Sequence, residues 1–443
     1  MRIPDRIVNY ILWKASSDYF TLRRLKKTVK LAYRTGFYRE KLSKACVKRI
    51  SSIEDFITKI PFTHREEISL EAISPYDLLA VDSSKEMVLF GQTSGATSGH
   101  SVPIFMTKKE FKKAIKMAMW LPVFKHISSR DRVCLLFPMV RTFAGQTAAA
   151  MVEHAGALLA SMGTRTNINP PEQVGKTILT LRPTILGVVA TDALALAQIF
   201  KDWGINPESI GVQKLVIGAE PCSKNRMKRL QEIYGAEMIF NFVGQNEVGL
   251  PGIPCIKGNM HFPSIAMFVE LWSMDGKHRV GFGHRAIPVI TPLFKKAMPV
   301  LRYWTNDIVI MEEGKNCPCG LQLPLYHILG REGTEIRTRN NGILMPIEIE
   351  DILFRAAIDG VWYQIEIDED TVAITVEHRV KKEWKKLENE IADNFTGIFD
   401  QKVQVECVPV GTLYDYTEIR PGKPISRIVD HRKTESVPIL EGA

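Results

Sequence analysis

The chain has 443 residues, 45% of them apolar, with 58 Lys and Arg against 49 Asp and Glu for a formal charge of +9. That balance excludes disordered, collagenous and small disulfide-stapled proteins, and the length calls for more than one domain. Residues 1–50 hold 14 basic and three acidic side chains, a local +11 that leaves −2 for the remainder; a nucleic-acid enzyme would instead carry cations around its catalytic body.

The N-terminal MRIPDRIVNYILWKASSDYF has Pro4 and Asp5 near its start and lacks the apolar run and small-residue cleavage site of a secretory signal. The apolar stretches 142–152 and 183–200 are too short or are broken by Asp192, so no membrane span is expected. Seven scattered cysteines fit reduced thiols and a cytoplasmic location. Asp18 is read as the cap of a helix whose stripe is Leu22, Leu25, Val29 and Ala32, with Arg23, Arg24, Lys26, Lys27, Lys30 and Arg34 on the other faces.

From about residue 85 to 310, apolar β-branched runs (133–137, 157–160, 184–190, 214–217, 237–240) alternate with helical stretches (143–154, 192–203, 224–234). The pattern is α/β with mainly parallel sheets, in which ligands gather beyond the strand ends. A second strand-rich region spans about 262–312, followed by Cys-Pro-Cys-Gly at 317–320. After Gly330 the periodicity shifts to strands at 363–367, 371–377 and 403–408 around a helix at 381–394. We therefore expect a large N-terminal domain, residues 1–330 with a basic helical segment at 1–50, and a smaller mobile α+β domain at 331–443, hinged at 330–333.

One run could surround phosphate oxygens with backbone amides and hydroxyls: Thr93, Ser94, Gly95, Ala96, Thr97, Ser98, Gly99 and His100. By itself such a run is usually just a turn. It resembles the phosphate loop of adenylate-forming enzymes. With FYREKL (37–42), IEDFITKIPFTHREEI (53–68), RPT (182–184), GAEP (218–221), FNFVGQNEVG (240–249), MPVLRYWTND (298–307) and GR (330–331), the ordered set resembles the phenylacetate–CoA ligase branch of that superfamily.

The resemblance implies an adenine slot at Gly218, Ala219, Glu220, Pro221, Asn241, Phe242, Val243 and Gly244. It implies ribose contacts at Asp307 with Arg331 nearby, Mg²⁺ at Glu247 beside Asn246, and a catalytic Lys423 within RPGKPISRIVDHRK that meets the α-phosphate. Without it, Asp307 reads as a turn cap, Glu247 as a helix start and Lys423 as a loop lysine. The chain departs from the family in placing Ser98-Gly99-His100 where Gly and then Lys are usual, and Glu332-Gly333 where a hinge Asp is common.

Cys255, His261, Cys317 and Cys319 read either as buried thiols and a core histidine or as ligands of a closed tetrahedral zinc; family members with such a site favour structural Zn²⁺. Phe143, Ala144 and Gly145 match the acyl region of relatives, although helix packing explains them equally. The reaction implied is ATP-dependent activation of a carboxylic acid, with Phe143 hinting at an aromatic one, to an acyl-adenylate, then transfer to a thiol, foremost that of coenzyme A. Alternatives are transfer to an acyl carrier protein, an amine or a deazaflavin, and a nucleotide-binding protein with degenerate catalysis. The expected partners are a small-molecule acid and coenzyme A or a carrier protein, with a homodimer allowed and no nucleic acid.

Overall fold

A computed structural model describes residues 17–93, 99–119, 122–164, 169–417 and 427–432. The first helix is Asp18–Ala32, and Ser17, with extended backbone, occupies the cap position. Asp18 is thus the first helical residue rather than the cap, where its carboxylate still favours the positive end of the helix dipole. Leu25, Val29 and Ala32 pack with Phe56, Ile57, Ile60 and Leu301, which fixes the apolar stripe against the body.

The body is built on a twelve-stranded mixed sheet. Five neighbouring strands are parallel, in the spatial order Leu158–Ser161, Arg132–Leu135, Ile185–Val188, Lys214–Gly218 and Met238–Gln245. Helices Ala144–Ala155, Pro171–Leu181, Ala190–Asp202 and Lys224–Tyr234 connect them. Such strands are covered on both faces, so Ile185–Val188 is buried throughout and reads as a continuous apolar run. The Ala190–Asp202 helix is buried from Ala190 to Phe200 except at Asp192, which explains its apolar sequence. No helix among the described residues is long and apolar enough to cross a membrane. Chain order reverses beside Arg132–Leu135, and in open sheets of this kind ligands bind beyond the carboxyl ends of the strands at such a reversal.

Past Met238–Gln245 the sheet becomes antiparallel through Gly249–Pro254, Met260–His261, Leu325–Arg331, Asp307–Glu312, Arg285–Pro292 and Met267–Trp272. The C-terminal part forms its own four-stranded sheet, ordered Lys402–Val408, Thr371–Glu377, Tyr363–Ile367 and Ile428–Asp430. Its core includes Ile365, Ile374, Leu387, Ile391 and Phe395. The helix expected at 381–394 opens with a short 3-10 turn and is α-helical over Trp384–Asn394. Val361, Trp362 and Tyr414 join the core of the large body, so the two parts share apolar contact.

Candidate active site at the strand ends

Lys214–Gly218 runs out at Gly218, where a Cβ would stand 3.3 Å from the Phe242 carbonyl of the next strand. Ala219 follows in left-handed backbone at φ 69°, a strained setting for a residue with a Cβ. The turn is held there by Glu220, whose Oε1 accepts from the Thr191 amide and from Arg226 Nη1, both at 2.9 Å. Ala219 and Pro221 stay exposed.

In the neighbouring strand, Asn241 pairs with Ile217 and Phe242 with Gly218, so both candidate adenine segments lie side by side. The buried Asn241 Oδ1 and Gln245 Oε1 find no hydrogen-bond partner among the described residues. Unpaired acceptors of this kind are costly, and they fit a strand segment that meets a polar ligand. Gln245 Nε2 donates to the Thr305 carbonyl at 3.1 Å, and Thr305 Oγ1 lies 3.3 Å from the Asp307 amide. Asp307 is buried and its Oδ1 is 3.2 Å from Arg331 Nε across the strand pair. Burial, and then the Asp307 charge, pushes the nearby Tyr326 hydroxyl well above the ordinary tyrosine range.

After Gln245 the chain turns and aims Glu247 inward, leaving it 1% exposed. Its Oε1 accepts from Arg65 Nη1 at 3.0 Å and from the Tyr303 hydroxyl at 3.2 Å. The same guanidinium donates through Nη2 to Thr93 Oγ1 at 2.7 Å and through Nε to the His100 carbonyl at 3.1 Å. Arg65 therefore ties together Glu247 and both described ends of the glycine-rich run. Beneath the turn, the buried Lys295 ammonium donates to the Asn246 carbonyl at 3.1 Å and also to that of Glu247. Burial lowers the Lys295 pKa to about 8, against the pull of Glu247 and Glu110.

Arg65 and Lys295 were not among the sequence candidates. A separation of 182 residues divides Arg65 from Glu247, and no local pattern marks the pairing. The one available signal was the place of Arg65 inside the THREEI segment that carried the resemblance.

Of the phosphate run, Thr93, Gly99 and His100 are described, and Ser94, Gly95, Ala96, Thr97 and Ser98 lie outside the described residues, as does Lys423. The His100 Nδ1 lies 3.7 Å from Glu71 Oε2. Phe143 is buried beside Phe111, with ring centroids 6.4 Å apart, and a Cβ on Gly91 would approach its ring to 3.0 Å. Gly145 backs onto Pro138 and Met139, while Ala144 is exposed.

The ligand atoms of Cys255, His261, Cys317 and Cys319 all lie within 4.8 Å of one another. Cys255 Sγ is 3.8 Å from Cys317 Sγ, and Cys319 Sγ is 3.3 Å from His261 Nε2. His261 Nδ1 meets the Leu323 carbonyl at 2.8 Å, which holds the ring with Nε2 toward the sulfurs. The Lys257 and Leu321 amides approach Cys255 and Cys319 sulfur at 3.4 Å each, an arrangement that suits thiolates. Three soft sulfurs and one imidazole at these separations fit a tetrahedral Zn²⁺ with bonds of about 2.0–2.3 Å.

No family model matches the chain. It is similar to the phenylacetate–coenzyme A ligase of Thermus thermophilus, 27% identical over 77% of this chain and 76% of that protein. The Aromatoleum evansii phenylacetate–coenzyme A ligase is 25% identical over 95% of this chain and 97% of its own length. Among solved structures, a 2-hydroxyisobutyryl-CoA ligase in its postadenylation state, in complex with 2-HIB-AMP, overlays with a TM-score of 0.81 at 20% identity, covering 94% of this chain and 90% of that one. That overlay shows a shared fold.

Proposed function

We propose that this chain, similar to phenylacetate–CoA ligases over most of its length, activates a carboxylic acid with ATP and passes the acyl group to coenzyme A. The observation that carries the reading is the junction of Arg65, Thr93 and Glu247 beside the two paired strand-end segments. It puts a buried carboxylate, a hydroxyl and a guanidinium at the mouth of a glycine-rich run, next to a strand whose Asn241 and Gln245 side-chain oxygens are unpaired among the described residues.

In this reading Gly218–Pro221 and Asn241–Gly244 line the adenine and Asp307, tied to Arg331, receives the ribose hydroxyls. Thr93–Gly99 and His100 surround the phosphates. Glu247, turned inward by Lys295, holds Mg²⁺, which when bound supplies charge for the phosphates; its carboxylate oxygens suit that hard cation. The acid's carboxylate attacks the α-phosphorus, the bond to pyrophosphate breaks, and Lys423 offsets the charge that develops. Catalysis is positioning and charge stabilisation, with no covalent protein intermediate. A thiolate then attacks the acyl carbon and releases AMP, after the C-terminal part turns about residues 330–333. Phe143, Ala144 and Gly145 border the acyl group. Cys255, His261, Cys317 and Cys319 hold a structural Zn²⁺ with no open position.

An acid-panel pyrophosphate-exchange screen tests the first step. The expected result is exchange that depends on one class of acid, and AMP release that requires both acid and coenzyme A. Exchange that is absent with every acid, although ATP binds, would reject the reading in favour of a nucleotide-binding protein.

A further inference from the structure

Four charged side chains from four separate segments meet in a closed cluster between the body and the C-terminal part. Glu220 comes from the candidate adenine turn and Arg226 from the helix after it. Glu350 comes from the Pro346–Leu353 helix, and Arg427 from the entry to strand Ile428–Asp430. Arg226 Nη1 lies 2.9 Å from Glu220 Oε1 and 3.3 Å from Glu350 Oε2. Arg427 Nη1 reaches the same Glu350 oxygen at 3.2 Å. Thr191 Oγ1 accepts from Arg427 Nη2 at 2.5 Å and from Arg226 Nη2 at 3.1 Å, and donates to Glu220. Two cations balance two anions, and their side chains are 0–12% exposed. The Arg427 guanidinium also lies over the Trp362 ring, 4.2 Å from its centroid.

Burying four ions is expensive, and apolar residues of similar volume would join two parts at least as firmly. What the cluster adds is geometry. A guanidinium that must satisfy Glu350, Thr191 and a ring face at once has one seat, which a lysine could not occupy. Arg427 leads into the strand that pairs with Tyr363–Ile367, so it is rigidly part of the C-terminal sheet. Through Thr191 that sheet is registered against Glu220, the residue that pins the strained Ala219 turn. Lys423, outside the described residues, is four residues earlier in the sequence.

We propose that Arg427 is a positioning residue for the adenylation half-reaction. It touches no substrate; acting through Thr191 and Glu220, it sets the C-terminal part against the nucleotide turn in the arrangement that brings Lys423 to the α-phosphate. The proposal rests on the reading of Lys423 as the adenylation lysine. The thiol step, which follows rotation of the C-terminal part, does not use this seat.

The test measures the two half-reactions separately in the full chain. Acid-dependent pyrophosphate exchange reports adenylation, and thioester formation from supplied acyl-adenylate and coenzyme A reports the second step. Arg427→Met should slow exchange at saturating ATP by at least about tenfold, with thioester formation within about twofold of wild type. Arg427→Lys should not restore exchange. Thr191→Val, which removes one hydroxyl and keeps all four charges, should act in the same direction and serves where Arg427→Met fails to fold. Equal loss of both half-reactions, or loss of neither, would overturn the proposal and leave Arg427 a packing residue. Lys423→Ala run in parallel separates the premises: if it retains exchange while Arg427→Met loses exchange selectively, the lysine assignment falls, the proposal loses its link to Lys423, and only a role of Arg427 in the adenylation arrangement is left.

Discussion

Arg65 Nη1 stands 3.0 Å from the Glu247 carboxylate while its Nη2 holds the Thr93 hydroxyl at 2.7 Å. One planar group thus sets the distance between the residue read as the magnesium ligand and the first residue of the phosphate run. Glu247 is fully buried, so its charge needs a partner of opposite sign.

Replacing Arg65 with Met should therefore lower the pyrophosphate-exchange rate by about 100-fold, the scale of losing one preorganised electrostatic contact. Arg65→Lys should fall between wild type and Met, because an ammonium keeps the charge and cannot span both oxygens. Wild-type exchange in Arg65→Met would show that Glu247 and Thr93 are positioned without it.

Lys295 gives a pH signature. Burial depresses its pKa to about 8 from an ordinary 10.5, so between those values the unfolded chain binds the proton more readily than the folded one. The sign follows: stability from this group rises with pH across that window, and is lost as pH falls through about 8. Relative to Lys295→Met, the wild type should gain stability from pH 7 to pH 10 in denaturant melts. A difference independent of pH would mean that the ammonium is not penalised by burial. If the ammonium also aims Glu247, the variant should lose exchange at pH 7 as well.

The parts of this protein legible in its sequence are those set by local periodicity. The parallel strands and their helices follow from apolar runs, because both faces of that half of the sheet are covered. Individual segments such as GAEP and FNFVGQNEVG could be lifted out because each is contiguous. What joins them is not contiguous: Arg65 with Glu247, Lys295 with Asn246, and Thr191 with Arg427 are tertiary pairings, the last across 236 residues. The helix start also shifted, since Ser17 takes the extended cap conformation one residue before the Asp18 that sequence favoured. A side-chain oxygen is available at both positions, and backbone conformation decides between them.

The cysteine cluster should hold about one zinc per chain. Cys255 and His261 flank a tight turn, and Cys317 and Cys319 follow a short helical turn on another strand connection, so a shared ion would cross-link two loops. Purified protein kept free of chelator should contain zinc by elemental analysis, and Cys317→Ser with Cys319→Ser should abolish it and lower Tm. Adenylation kinetics measured well below the reduced Tm should stay near wild type, as a closed four-ligand site has no coordination position for substrate. Metal-free protein with an unchanged melt would remove the zinc assignment.

The basic N-terminal helix offers the last test. Arg23, Lys26, Lys27 and Lys30 are exposed on the helix whose other face packs through Leu25, Val29 and Ala32. Arg24 differs from them, because its Nη1 donates to the Ile265 carbonyl at 2.7 Å and helps seat the helix. The useful variant therefore reverses Arg23, Lys26, Lys27 and Lys30 to Glu and leaves Arg24 in place. If this surface steers an anionic acceptor such as coenzyme A, its KM should rise severalfold at low ionic strength while kcat holds. The two proteins should converge at about 1 M salt, where screening acts within roughly 3 Å. An acceptor KM that is the same for both at low salt would confine the helix to packing, since its buried stripe is untouched by the substitutions.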